Sequence, residues 1–163
     1  MRHEESRMVM GSLFTVVAFG PNTPKVPDLI TQALDEVDRI DKLMSHYKPD
    51  SQLSKINLDG SKGPVVVDQE LFDLIAESVR YSRDSDGAFD ITVGPLMKAW
   101  GFFMGDGKLP PDAELEKIKP RVGYQHIIMD AAARSIRFDV TGAELDLGGI
   151  GKGYAVDRAI AIL

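Results

Sequence analysis

Glu144-Leu145-Asp146-Leu147-Gly148-Gly149-Ile150-Gly151-Lys152-Gly153-Tyr154-Ala155-Val156-Asp157 carries a strand-like run through a glycine turn into the start of a helix. Four glycines within six residues let the backbone approach an anion closely, and Lys152 adds a positive charge. The helix start behind them offers N–H groups with no partner inside the helix. A ligand bearing phosphates is the first expectation. The segment is neither of the common glycine signatures. Asp146 stands where a P-loop needs its first glycine and Gly153 follows Lys152 in place of Ser or Thr, while Gly149, Gly151 and Gly153 read GxGxG rather than GxGxxG. An acid at Asp146 adds the expectation of a metal, ribose or base contact beside the phosphates.

Composition bounds the rest. A chain of 163 residues fits one domain, 1–163, that can bury roughly 70% of its unfolded surface. The formal charge of -6 argues against a general nucleic-acid surface, which needs a clustered excess of Lys and Arg. With no cysteine there are no disulfides, thiolate metal sites or cysteine nucleophiles. No apolar run approaches the length of a membrane span. Met1-Arg2-His3-Glu4-Glu5-Ser6-Arg7 is too charged for a secretory signal, so the expectation is a cytoplasmic protein or one whose export signal is left out. The last helix, with Ala155, Val156, Ala159, Ile160 and Leu163 apolar, is just under way when the chain stops. That predicts the N-terminal part of a longer protein.

Strands and helices alternate along the chain. Met8 to Phe19 reads as a strand ended by Gly20-Pro21-Asn22. From Pro27, Ile30, Ala33, Leu34, Val37, Ile40 and Met44 recur at helical spacing, with Asp28, Asp35, Glu36, Asp38 and Asp41 opposite. The spacing predicts an amphipathic helix lying on a sheet. A short strand at Val65 to Val67 follows. Asp68 then caps a helix that turns Leu71, Phe72, Ile75, Ala76 and Val79 inward and ends at Gly87. Gln125 to Asp130 and Ser135 to Val140 read as two strands around an Asp-Ala-Ala-Ala turn, and a last helix opens at Gly153. The fold class is α+β, with amphipathic helices packed on a sheet. Other site types drop out. Asp84-Ser85-Asp86-Gly87 misplaces the glycine and ligands of a calcium loop, His3, His46 and His126 lack zinc spacing, and no GxSxG elbow exists.

Several separated motifs carry a resemblance. They are Met10-Gly11-Ser12; Met44-Ser45-His46-Tyr47 with Ser51 and Leu53 to Asn57; Ala88-Phe89-Asp90-Ile91-Thr92-Val93-Gly94-Pro95-Leu96; Trp100-Gly101-Phe102; Val122-Gly123-Tyr124; and the glycine junction. In this order they resemble the ApbE family of FAD:protein FMN transferases, from Met10 to Arg158. The resemblance implies FAD and magnesium, and transfer of the FMN part of FAD to a Thr or Ser hydroxyl of a target protein with release of AMP. It implies that Met10 and Tyr47 line the flavin or adenine pocket. It further implies that Ala88, Phe89 and Asp90 contact FAD, that Asp146 and Lys152 hold the nucleotide, and that the Gly149 carbonyl is a metal ligand. The family's C-terminal metal ligands have no counterpart in this sequence, so transfer is implied for a whole protein and not for this chain alone. No catalytic residue is assigned. The implied partner is a flavin-carrying subunit of a membrane redox complex. The implied setting is the periplasmic side of the bacterial inner membrane, and a dimer is among the expectations. Two alternatives stay open: an FAD pyrophosphatase giving FMN and AMP, and a non-catalytic flavin-storage protein.

Plainer roles stand beside these. Met10 in an apolar strand suits core packing, Tyr47 suits a buried ring with one satisfied hydroxyl, and Trp100 suits an anchor in the core. Asp90 before Ile91-Thr92 suits a turn. Lys152 has no good structural role, because a cation at the start of a helix opposes the helix dipole. That conflict favours an anion nearby.

Overall fold

The expected single strand from Met8 to Phe19 is two strands. β1 (Arg2–Val9) and β2 (Ser12–Phe19) pair antiparallel, from Arg2 opposite Phe19 to Val9 opposite Ser12. The link is Met10-Gly11, with φ of 52° and 67°. A two-residue hairpin of this kind needs both central residues at positive φ, which glycine adopts freely and Met does not. The polar alternation of Arg2 to Arg7 hides a strand that the apolar run beyond it advertises. Met10 is therefore a turn residue, not a residue of an apolar strand. In this computed structural model all residues are described except His46, Tyr47, Met104 and Asp106.

The chain divides into two compact units, Met1–Ser45 with Gly148–Leu163, and His46–Leu147. In the first unit, α1 (Lys25–Met44) buries Ile30, Ala33, Leu34, Val37, Ile40 and Met44, the full stripe predicted from spacing. It packs against β1, β2 and α6 (Gly151–Ile160). Arg7 on β1 fixes the hairpin to the acidic side of α1, with Nη1 donating to Asp35 at 2.6 Å and Asp38 at 2.7 Å. The outer face of the hairpin exposes Met8, Leu13, Val17 and Phe19. On α6 only Gly151, Ala155 and Ala159 are buried, while Val156 and Ile160, and Leu163 beyond it, are exposed.

In the second unit, β3 (Val65–Val66), β5 (Ser135–Phe138) and β4 (Ile127–Asp130) form an antiparallel sheet in the order β3-β5-β4. Each is shorter than the sequence predicts; β4 begins two residues late because Tyr124–His126 winds into a 3-10 turn, and Arg134 closes the β4–β5 loop at φ 49°. Two helices frame it. α2 (Gln52–Asp59) contacts β3 and β5, and α3 (Gln69–Asp84) buries Leu71, Phe72, Leu74, Ile75 and Val79. Ala76, expected inward, is half-buried. Asp68 occupies the N-cap of α3 but does not cap it. Its carboxylate instead accepts from Gln52 Nε2, and its backbone N–H donates to Gln52 Oε1 at 2.8 Å. The short α4 (Gly94–Ala99) and α5 (Asp112–Ile118) complete the unit, with Trp100 half-buried at the C-cap of α4.

Glu36 ties α1 to α6. It accepts from Arg39 at 2.8 Å and from Arg158 at 3.2 Å, and these bonds, Arg39 first, hold its carboxyl at about 2 instead of 4.5. A depressed carboxyl stabilises the fold above its unfolded value and loses that contribution as pH falls toward the folded one. Stability should therefore drop as pH falls from about 4.5 to about 2, the window set by this shift. Glu36→Gln should cost on the order of 1 kcal/mol at neutral pH, discounted because both arginines are half in solvent, and should flatten that acid dependence. Urea melts across this pH range read both effects. An unchanged pH slope in the variant would remove Glu36 from the docking.

Candidate functional site

In the second unit a single extended segment, Glu144 to Asp146, lies outside any named strand yet has its backbone polar groups held on both sides. Glu144 bridges Val93 in parallel. Its carbonyl accepts from Gly94 N–H at 3.2 Å, and Asp146 N–H donates to the Ile91 carbonyl at 2.7 Å. Leu145 turns its own N–H and C=O the other way, to the Asn57 side chain, at 2.7 and 2.9 Å. Leu145 is fully buried and Asp146 is 5% exposed, so these groups have little access to water. The approach explains Gly94, because a Cβ there would stand 2.8 Å from the Glu144 carbonyl oxygen.

Asp90, one residue before this pairing, is held by its own turn. Oδ1 accepts from Thr92 N–H at 2.7 Å and from Thr92 Oγ1 at 2.6 Å, and Oδ2 accepts from Tyr124 N–H at 2.7 Å. Thr92 Oγ1 in turn accepts from Gly123 N–H at 2.7 Å. The turn role considered for Asp90 is present, and it also anchors Val122-Gly123-Tyr124. Phe89 N–H donates to Ser85 Oγ at 3.0 Å, its ring meets Tyr81 edge-on at 6.3 Å, and Ala88 is exposed. Thus Ala88, Phe89, Asp90 and Asp146 come onto neighbouring pieces of one unit.

Met10, Gly149 and Lys152 belong to the other unit, and Tyr47 lies outside the described residues. Met10 is half-buried at the hairpin tip. α6 begins at Gly151, two residues earlier than expected, so Lys152 stands exposed in its first turn. That turn holds no acid. Gly148, Gly149, Gly151 and Gly153 are not among the residues with positive φ, so conformational freedom is not what these positions need. A Cβ on Gly153 would meet nothing within 4 Å. Gly148 and Gly149 are exposed as well. The turn therefore presents bare backbone and one cation to solvent, which suits an anion.

The implied magnesium ion fits less well. A hard cation takes about six oxygens, and among the described residues no three His, Asp or Glu gather to hold one. The Gly149 carbonyl is a single neutral ligand. A groove of about 420 Å³ between α4 and α5 in the second unit has a mixed lining of Lys98, Lys117, Arg121, Glu114 and Glu144, with Lys98 already paired to Glu144. Its charges nearly cancel.

A model of the ApbE family matches residues 10–163. The chain belongs to the ApbE family. It is 33% identical over 158 residues to the FAD:protein FMN transferase of Salmonella typhimurium, a match covering 94% of this chain and 45% of that protein. The Escherichia coli K12 protein of the same name is 30% identical over 158 residues, with the same coverage. Among solved structures, the ApbE protein of Thermotoga maritima superposes with a TM-score of 0.90 at 31% identity, over 99% of this chain and 52% of that one. The flavin transferase ApbE of Vibrio cholerae gives 0.87 at 27% identity, over 99% and 52%. The chain thus spans about half the length of the relatives it matches.

Within this ApbE chain, sequence reasoning gave Asn57 and Thr92 no role of their own. Asn57 had a legible signal, because Leu53, Ile56, Asn57 and Gly60 repeat at helical spacing and an amide on an apolar stripe needs partners. Thr92 had none, since its partners lie on a distant turn. Asp90→Ala would strand three donors and should lower stability by about 2 kcal/mol or more, read from urea melts. If the melts do not move while FAD binding is lost, the ligand role of Asp90 outweighs the turn.

Proposed function

We propose that this chain supplies the FAD-binding share of an FAD:protein FMN transferase. In the whole protein, a Thr or Ser hydroxyl of a target flavin-carrying subunit of a membrane redox complex attacks the phosphorus on the riboflavin side of FAD. A new O–P bond forms, the bond to the bridging oxygen breaks, the hydroxyl gives up its proton and AMP leaves with the electron pair. The setting in this proposal is the outer face of the bacterial inner membrane, where the family resemblance puts such targets. No helix of the described residues is long and apolar enough to cross a membrane.

The observation that carries the reading is the turn into α6, where Gly148, Gly149, Lys152 and Gly153 are exposed and the first turn of the helix holds no acid. A cation there opposes the helix dipole unless an anion sits nearby, and a pyrophosphate answers both. In phosphoryl transfer charge grows on the equatorial and leaving oxygens, and positioned cations and N–H groups supply much of the stabilisation. Lys152 and the bare turn have that role in this chain. Asp146 accepts hydrogen bonds from donor groups of the nucleotide, and Met10, Ala88 and Phe89 offer apolar surface to the ring systems. Magnesium receives no step here, since Gly149 alone makes no site.

FAD titrated against this chain, followed by flavin fluorescence, should bind saturably and be displaced by AMP. Lys152→Ala should weaken it about tenfold, the loss of one charge-assisted hydrogen bond. Magnesium should change the affinity of this chain by less than about twofold, because one carbonyl holds the ion poorly. No saturable binding by a folded chain, or equal affinity in the Lys152 variant, would overturn the reading.

A further inference from the structure

We infer that Asn57 is a positioning residue for Asp146, acting through the peptide groups of Leu145. The inference rests on the proposed contact between Asp146 and the nucleotide. Asn57 lies 88 residues away in sequence, and its amide makes both bonds that a neighbouring strand would make to Leu145. Nδ2 donates to the carbonyl at 2.9 Å and Oδ1 accepts from the N–H at 2.7 Å. The pairing fixes which amide atom is which, since the flipped group would set donor against donor. Among side chains of this size only Asn presents one donor and one acceptor in that fork. Asp would face the Leu145 carbonyl with a second oxygen.

The amide can position because its helix is itself fixed. At the start of α2, Ser51 Oγ accepts from Ser54 N–H at 2.9 Å, and Gln52 pairs with Asp68. At its end, the Gly60 carbonyl accepts from Phe138 N–H at 2.8 Å, and a Cβ on Gly60 would stand 2.9 Å from the Phe138 ring. Asp146 is then set from two sides. Its own N–H is held by Ile91, and the residue before it is held by Asn57. With Asn57 removed, the Leu145 peptide keeps no partner on that side, and the carboxylate following it loses its bearing while the Ile91 bond keeps the segment attached.

The test is a double-mutant cycle on FAD affinity, with melting curves to show that each variant is folded. Asn57→Ala and Asp146→Asn should each weaken FAD binding about tenfold, and the double variant should be no weaker than Asp146→Asn alone. Amide hydrogen exchange should quicken at Leu145 in Asn57→Ala, whose N–H loses its acceptor, but not at the Asp90–Thr92 turn. Losses that multiply in the double variant, or wild-type affinity in Asn57→Ala, overturn the inference and leave a merely structural amide. Wild-type affinity in Asp146→Asn overturns it through its premise, while the Lys152 variant still decides whether the chain binds FAD. Should the alanine variant not fold, Asn57→Gln, which carries the same amide on a longer stem, must show the same failure to multiply.

Discussion

Everything built around Asp146 depends on satisfying the backbone of one buried segment that has no complete strand beside it. A peptide group away from water must find a partner, and Glu144 to Asp146 find theirs in two places, a loop and a side-chain amide. The loop partner requires Gly94, because any side chain would strike the Glu144 carbonyl. It also requires that the Ile91 carbonyl and the Gly94 N–H be held beside the segment, and the Asp90–Thr92 turn helps to fix them by closing on Tyr124 and Gly123. The amide partner requires α2 to be fixed at both ends. Residues that look like separate motifs along the chain are thus parts of one hydrogen-bond account.

The sequence was readable where one physical signal dominated. On α1 the apolar stripe names its buried residues one by one, because a long helix against a sheet leaves little choice of face. It failed where two signals competed. The charges of Arg2 to Arg7 masked a strand whose Arg7 is satisfied by α1 acids, and Met10 gives no sign that it takes positive φ. Asp68 reads as a cap, but Gln52 takes its carboxylate, and no local pattern reports a partner 16 residues back. Membership of the ApbE family was legible because several separated motifs agree, and agreement among them does not depend on knowing what each residue does.

Charge distribution follows the same division of labour. The chain is acidic overall, at -6, and three acids of α1 are engaged in fixing the first unit. Asp35 and Asp38 hold Arg7, and Glu36 holds Arg39 and Arg158. Such pairs anchor elements and leave little field for a ligand. Lys152 differs in kind. It stands exposed, at the end of a helix where its own charge is unfavourable. Net charge alone would have argued against an anion site, and only the local arrangement argues for one.

The glycine junction shows why a motif should be tested position by position. Read as a string, it suggests glycines chosen for unusual backbone angles; in the fold Gly148, Gly149, Gly151 and Gly153 need none. What remains is the absence of side chains, and above Gly153 that absence leaves open space. A surface selected for bare backbone is worth having only if something approaches it. The chain also passes from one compact unit to the other between Leu147 and Gly148, inside the motif. The placement of Asp146 is therefore decided by Asn57 and Ile91, while that of Lys152 is decided by the start of α6. Each side of the junction answers to its own constraint, so a substitution that displaces Asp146 need not displace Lys152.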